Sequence, residues 1–397
     1  MQSLPLNQRR YDLDWLRVIA FGLLIIYHIG MFYVSWGWHV KSVHASEAAE
    51  PFMIMLNPWR LSLLFLISGV AIRFAFDKAE SHLRFTGRRT LTLFIPIVFG
   101  IHVIVAPQAW LQLLESGEIQ KGFWQFYPEY LIGSVDRYSI QIPTWNHLWY
   151  VVYLMLYTLL LAPFARPLSR WTQNGGARIF QKLFDHRWGV VMVLLIPVLP
   201  HVLIRFTLDP IFPTTHDVIN DWANHAHSTV FLLTGFLLAK DPSFWRAIER
   251  ALKPTVMLAA VLAISLSLAW GNWEALSESE AALLIARLAR VLYIWVCIAA
   301  LLGLAQRYLN RPSKTLSYMT EAIFPWYILH QTLIVMAGYW LTRTGVTVWP
   351  EFLLLTLATF GGCYLINEYL IRRWRPIRPL FGLRNKPPRE TEQPCKT

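Results

Sequence analysis

Residues 13–34 read LDWLRVIAFGLLIIYHIGMFYV. At 1.5 Å per residue such a run crosses a hydrocarbon core of about 30 Å, yet it keeps Asp14, Arg17 and His28 inside it. It is too long and too polar for the apolar region of a cleaved signal, despite the cleavage-like Val43, His44 and Ala45 that follow. It reads as a retained transmembrane helix. Working outward, nine more runs of low charge lie near 58–76, 90–111, 145–165, 188–206, 226–239, 254–271, 288–305, 319–340 and 351–371. The expected fold is an all-α polytopic membrane protein of about ten transmembrane helices.

Composition agrees with that reading. Of 397 residues, 55% are hydrophobic and 15% charged, against about 45 to 50% and 25% in soluble domains. The 19 Trp suit interfacial belts. The three cysteines offer no disulfide framework or thiolate metal site, and Asp217, Asp221, His225 and His227 lack tight ligand spacing, so no metal is expected. Neither a phosphate-binding GxxxxGK[ST] loop nor an HExxH pair is present, and no internal repeat is visible.

The net charge of +12 raises the question of nucleic acid, and the placement of the charges answers it. With the connecting segments assigned alternately from a cytoplasmic N-terminus, 26 of the 36 Lys and Arg fall inside and eight outside, Arg60 among the eight; Arg17 and Arg73 lie within helices. This bias predicts both termini in the cytoplasm and removes the case for a nucleic-acid partner. Residues 1–371 then form the membrane domain, and 372–397 a basic cytoplasmic tail expected to be mobile and to lie on anionic lipid.

A charge inside the bilayer costs roughly 2.5 to 3.5 kcal/mol on insertion scales, which makes each one a functional candidate. Arg17 and His28 are eleven positions apart, so on a helix they share a face within about 20° and lie about 16 Å apart. Asp14, on the same turn, can neutralise Arg17; the bland alternative is a snorkelling ion pair and a hydrogen-bonded core histidine. At the inner level, Ser68 and Arg73 precede Lys78, Arg84, Arg88 and Arg89, and guanidinium forks suit phosphate. At the outer level Trp38, His39, His147 and Trp149 gather among Trp36, Asn57, Trp145, His201 and Arg205, where rings and hydrogen-bonding groups suit a sugar, although an interfacial belt has the same composition. His330 lies mid-way along the ninth run, after a Pro325 that frees backbone carbonyls.

These residues resemble a known family. Arg17 followed by ten residues and His28 resembles the defining motif of membrane acyltransferase family three. RRYDLDWLR at 9–17, WHV within 36–40, FLISG at 65–69, NHLWYVVYLMLY at 146–157, DWANHAH before the sixth run and YILHQ in the ninth fit it too, most closely the branch that succinylates osmoregulated periplasmic glucans. The resemblance covers nearly the whole chain. It implies a ten-helix inner-membrane enzyme that moves a short acyl group, succinyl or acetyl, from cytoplasmic acyl-CoA to a hydroxyl of a periplasmic glucan or other envelope glycan. It assigns His28 as catalytic and Arg17 as its partner. Acyl-CoA is then a donor substrate, not a resident cofactor, bound by Arg73, Arg88, Arg89 and Ser68, and Trp38, His39, His147, Trp149 and His330 face the glycan. The family's basic RxxR pair is not reproduced by Arg84, Arg88 and Arg89. His28 acts as general base on the acceptor hydroxyl or as acyl carrier. A proton-coupled exporter using His28, Arg17, Glu321 and His330 is the rival reading.

Overall fold

The computed structural model describes residues 9–133 and 137–385. In chain order the helices are α1 Tyr11–Tyr33, α2 Glu50–Asp77, α3 His82–Phe99, α4 Ala106–Glu115, α5 Phe123–Ile132, α6 Trp149–Gln173, α7 Gly175–Phe184, α8 Gly189–Leu195, α9 Val198–Thr207, α10 Trp222–Leu238, α11 Pro242–Gly271, α12 Trp273–Ser277, α13 Glu280–Tyr308, α14 Lys314–Leu341 and α15 Val348–Leu365. No strand occurs among the described residues.

All ten low-charge runs are helical. Among the described residues, eight helical stretches are long and apolar enough to cross a membrane: Tyr11–Tyr33, Glu47–Asp77, His82–Glu115, Asn146–Gln173, Gly189–Thr207, Pro242–Gly271, Glu280–Tyr308 and Val348–Ile371. Of the other two runs, α10 has only 17 residues, while α14 has 28 and carries Glu321, His330 and Gln331 among its apolar residues. The third run is α3 and α4 joined by a π-helical turn, Gly100–Ile104, and the fifth breaks at Pro197, which cannot donate to the preceding turn. Helix α7 was not expected. It buries Gly176, Phe180 and Phe184, a stripe with a period of four, and exposes Arg178 and Lys182.

The described chain forms two compact units. The first comprises 9–30, 46–87 and 153–317, and the second 31–45, 88–133, 137–152 and 318–385. In the first, α2 packs on α10, and α11 on α13. A Cβ on Gly69 would lie 1.9 Å from the Leu232 carbonyl oxygen, and one on Gly235 2.0 Å from that of Leu66. The two glycines therefore set how closely the backbones of α2 and α10 approach. Asp12, fully buried, takes the Arg10 guanidinium at 2.6 Å while that group stacks on Trp245 at 3.8 Å, which anchors the start of α1.

In the second unit, Ala106, Ala109 and Leu113 of α4 form a core with Ile119, Phe126, Tyr130 and Ile142. The Tyr130 hydroxyl donates to the Ile101 carbonyl at 2.7 Å, satisfying a backbone acceptor where the π-helical turn departs from α-helical bonding.

Two expectations change. The basic tail is packed at its start: Arg378, 3% exposed, donates to Glu321 of α14 at 2.7 Å, and Phe381 meets Phe99 edge-on at 5.3 Å. An ion pair and an aromatic anchor hold what charge alone presents as a free tail; its remainder, 386–397, lies outside the described residues. Arg60, counted with the outer segments, is inside α2, because that helix starts at Glu50, eight residues before the run at 58.

Candidate functional site

Helix α1 is unbroken from Tyr11 to Tyr33, so Arg17 and His28 do share a helical face. The Asp14 carboxylate favours a different partner from the one expected: it accepts Arg9 at 2.8 Å, while Arg17 Nη2 stands 3.6 Å from it. Arg17 Nε is buried with no hydrogen-bond partner among the described residues. His28 is half-buried, its ring 6.0 Å from that of Tyr27.

On α2, Arg73 is 1% exposed and fully engaged. Nε donates to Asp77 at 2.9 Å, Nη1 to the Thr172 hydroxyl at 2.8 Å, and longer contacts reach the carbonyls of Phe236 and Ser169. Lys240 shares Asp77 at 2.6 Å, and the Ser169 hydroxyl donates to its other oxygen at 2.9 Å. In this buried ion cluster each guanidinium nitrogen has a partner. Ser68 precedes the tightly packed Gly69. On α3, Arg88 is exposed and Arg89 half-buried.

All five residues expected to face a glycan, Trp38, His39, His147, Trp149 and His330, belong to the second unit. His39 Nδ1 lies 2.6 Å from Gln112 Oε1, and Gln331 Nε2 lies 2.8 Å from His39 Nε2. An amide NH₂ can only donate, so Nε2 accepts and Nδ1 carries the proton. Gln331 also donates to Gln108 Oε1 at 3.0 Å, Asn146 donates to the same oxygen at 3.0 Å, and Gln108 Nε2 donates to the Thr332 hydroxyl at 2.6 Å, which donates to the Ile104 carbonyl at 2.6 Å. Every direction in this chain follows from a neutral His39, and desolvation by burial holds its pKa below the ordinary imidazole value. Trp38 lies 5.4 Å from the His39 ring.

Beside this network, His147 Nε2 donates to the Ile328 carbonyl at 3.0 Å. Its Nδ1 therefore holds a lone pair, and that atom is buried with no hydrogen-bond partner among the described residues; the residue is 6% exposed. His330 is fully buried, donates Nδ1 to the Tyr327 carbonyl at 2.6 Å, and sets its ring 5.1 Å from that of His147 at 87°. Trp149 is half-buried.

Sequence reasoning missed Gln108, Gln112, Gln331, Thr332 and the role of Asn146. The available signal was amides at 108 and 112, one helical turn apart between apolar residues, and the run His330, Gln331, Thr332 within a mostly apolar helix. Among the described residues no group of three or more His, Cys, Asp and Glu is arranged to hold a metal ion. His201 and His227 instead pair through their Nδ1 atoms at 2.9 Å, with His227 Nε2 3.3 Å from Asp209.

Comparison with known proteins supplies the chemistry. Glucans biosynthesis protein C of Escherichia coli (strain K12) is 23% identical over 376 residues, covering 92% of each chain. Its counterparts in Escherichia coli O6:K15:H31 (strain 536 / UPEC) and Escherichia coli O139:H28 (strain E24377A / ETEC) are each 24% identical, again over 92% of both chains. No solved structure matches significantly. A family model described as an acyltransferase domain matches residues 10–368, which contains α1 to α15 completely. With nearly its whole length matched, the chain belongs to this acyltransferase family and is a multi-pass membrane member of it.

Proposed function

We propose that the protein is an inner-membrane O-acyltransferase that carries a short acyl group, succinyl or acetyl, from cytoplasmic acyl-CoA to a hydroxyl of a periplasmic glucan or other envelope glycan. The observation that carries the reading is the family match over residues 10–368, which contains an α1 with Arg17 and His28 on one face. The names of the distant relatives support a glucan acceptor, and the bias of Lys and Arg, 26 to seven once Arg60 is placed within α2, supports cytoplasmic termini.

In this proposal the CoA phosphates meet Arg88 and Arg89 at the inner level. Arg73 holds its own ion cluster instead, because its donors already serve Asp77 and Thr172. His28 takes the proton of the acceptor hydroxyl as its oxygen attacks the thioester carbonyl. The carbon–sulfur bond breaks, the new ester forms, and the proton passes to the CoA thiolate, so atoms and charge balance. With His28 as acyl carrier, the imidazole first displaces the thiolate and the hydroxyl then displaces the imidazole. Arg17 stands one face-length below as the positive partner. For the glycan, Trp38, Trp149 and the open Nδ1 of His147 are the candidate contacts, supported by His39 and His330.

Purified protein given acyl-CoA and a periplasmic glucan should form glycan ester and free CoA thiol. His28→Ala should lower turnover by about 10² to 10⁴ with donor binding retained. Wild-type turnover in folded His28→Ala would remove His28 from the chemistry.

A further inference from the structure

Helix α2 carries two buried arginines, thirteen positions and about 20 Å apart along its axis. They differ in one respect. Arg73 is surrounded by a carboxylate, a hydroxyl and two carbonyls. Arg60 is 5% exposed, and its Nε and Nη1 are buried without a hydrogen-bond partner among the described residues. Its Cζ lies 3.3 Å from the centre of the Tyr27 ring, and Asn57, on the preceding turn of α2, donates to the Tyr27 hydroxyl at 3.0 Å. Of the other titratable groups, His216 feels the charge of Arg60 and Arg290 that of Tyr27; neither brings a carboxylate to the guanidinium.

A desolvated guanidinium without a counter-charge is costly, and stacking on a phenol ring recovers only part of that cost. Its planar edge fits a carboxylate through two parallel hydrogen bonds. The location makes the chemistry specific. Tyr27 directly precedes His28, and their ring centres are 6.0 Å apart. With Arg60 Cζ 3.3 Å from the Tyr27 centre, the guanidinium lies within about 9 Å of the imidazole. A four-carbon dicarboxylic acyl group spans about 4 Å between its terminal carbons, and a charge-assisted hydrogen bond adds about 2.8 Å at its far end. An acyl carbonyl reacting at His28 can thus hold its distal carboxylate at Arg60.

We propose that Arg60, with Tyr27 and Asn57, binds a carboxylate carried by the acyl group in transfer, and thereby selects a dicarboxylic acyl donor over an uncharged one of equal length. This rests on the acyltransferase reading with His28 as the reacting group. Arg60 is then a specificity-determining residue beside the reacting centre.

The test compares succinyl-CoA with butyryl-CoA, which has the same carbon count and no carboxylate, using purified full-length wild type, Arg60→Gln and Arg60→Lys. Wild type should favour succinyl-CoA in kcat/KM by about 10- to 100-fold, Arg60→Gln should bring the ratio near one while leaving butyryl transfer in place, and Arg60→Lys should restore part of the preference. In parallel, free succinate should raise the thermal midpoint of wild type but not of Arg60→Gln, and butyrate should raise neither. An unchanged donor ratio in folded Arg60→Gln overturns the proposal. A preference that follows a carboxylate on the acceptor, tested with neutral and uronic-acid-containing oligosaccharides, overturns the acyl assignment. If wild type transfers no acyl group from any donor, the acyltransferase reading fails, and the succinate shift still decides whether Arg60 holds a carboxylate.

Discussion

At the scale of single residues, the useful distinction is between polar groups whose bonding capacity is spent and those with capacity left. Arg73 and Arg88 both carry a guanidinium, but only Arg88 is exposed. Arg73→Ala takes one donor each from Thr172 and from Asp77, which keeps Lys240 and Ser169, and should destabilise the protein by about 1 to 3 kcal/mol, seen as a lower thermal midpoint. Arg88→Ala should leave that midpoint unchanged and weaken acyl-CoA binding by about 1.5 to 3 kcal/mol. Equal stability in the two variants would contradict the assignment of Arg73 to the fold. His39 gives a pH prediction. Its folded pKa lies below the unfolded one, so its contribution is complete above the unfolded value near 6.5 and is lost as pH falls through the folded value. Protonated His39 cannot accept from Gln331, and stability measured from pH 7.5 to 5 should fall less in His39→Gln than in wild type.

At the scale of elements, the crossing of α2 and α10 depends on what is missing from Gly69 and Gly235. The neighbours of both are backbone carbonyls, which cannot move aside as a flexible side chain can. Gly235→Ala should cost about 1 to 3 kcal/mol through overpacking. Gly22→Ala is the matched control: nothing lies within 4 Å of its added Cβ, and in a helix interior alanine should raise stability by about 0.5 to 1 kcal/mol. Thermal unfolding of both variants in one detergent reads the difference, and a neutral Gly235→Ala would show that the helices part without cost.

At the scale of the whole molecule, the proposed topology follows from the sidedness of Lys and Arg. Single cysteines placed at Ser46, Gln120 or Glu278 in a cysteine-free background should react with an impermeant thiol reagent from outside. Those at Ser81, Gln173 or Ser313 should react only after the membrane is opened. The reverse pattern would remove the scheme of an inner donor and an outer acceptor. The start of the tail enters at the same scale: truncation after Ile371 removes the Arg378 to Glu321 ion pair and the Phe381 anchor, and should lower stability even though the deleted segment lies beyond the last membrane run.

Three properties were legible in the sequence alone: the chain is helical, it is membrane-embedded, and Arg17 and His28 share a face. Those properties are local or additive. Hydrophobic run length, helical period and charge counts need no knowledge of what a residue touches. Which polar groups are used up emerged from the fold, because their partners are remote in the chain. Arg73 meets Thr172 across 99 positions, and Gln331 meets His39 across 292. The same distance hid Arg60 and the Nδ1 of His147 in the sequence: a partner count of zero can be read only after every neighbour has been brought into place, and with hydrogen bonding and desolvation both decided by contact, burial without a partner is a property of the fold.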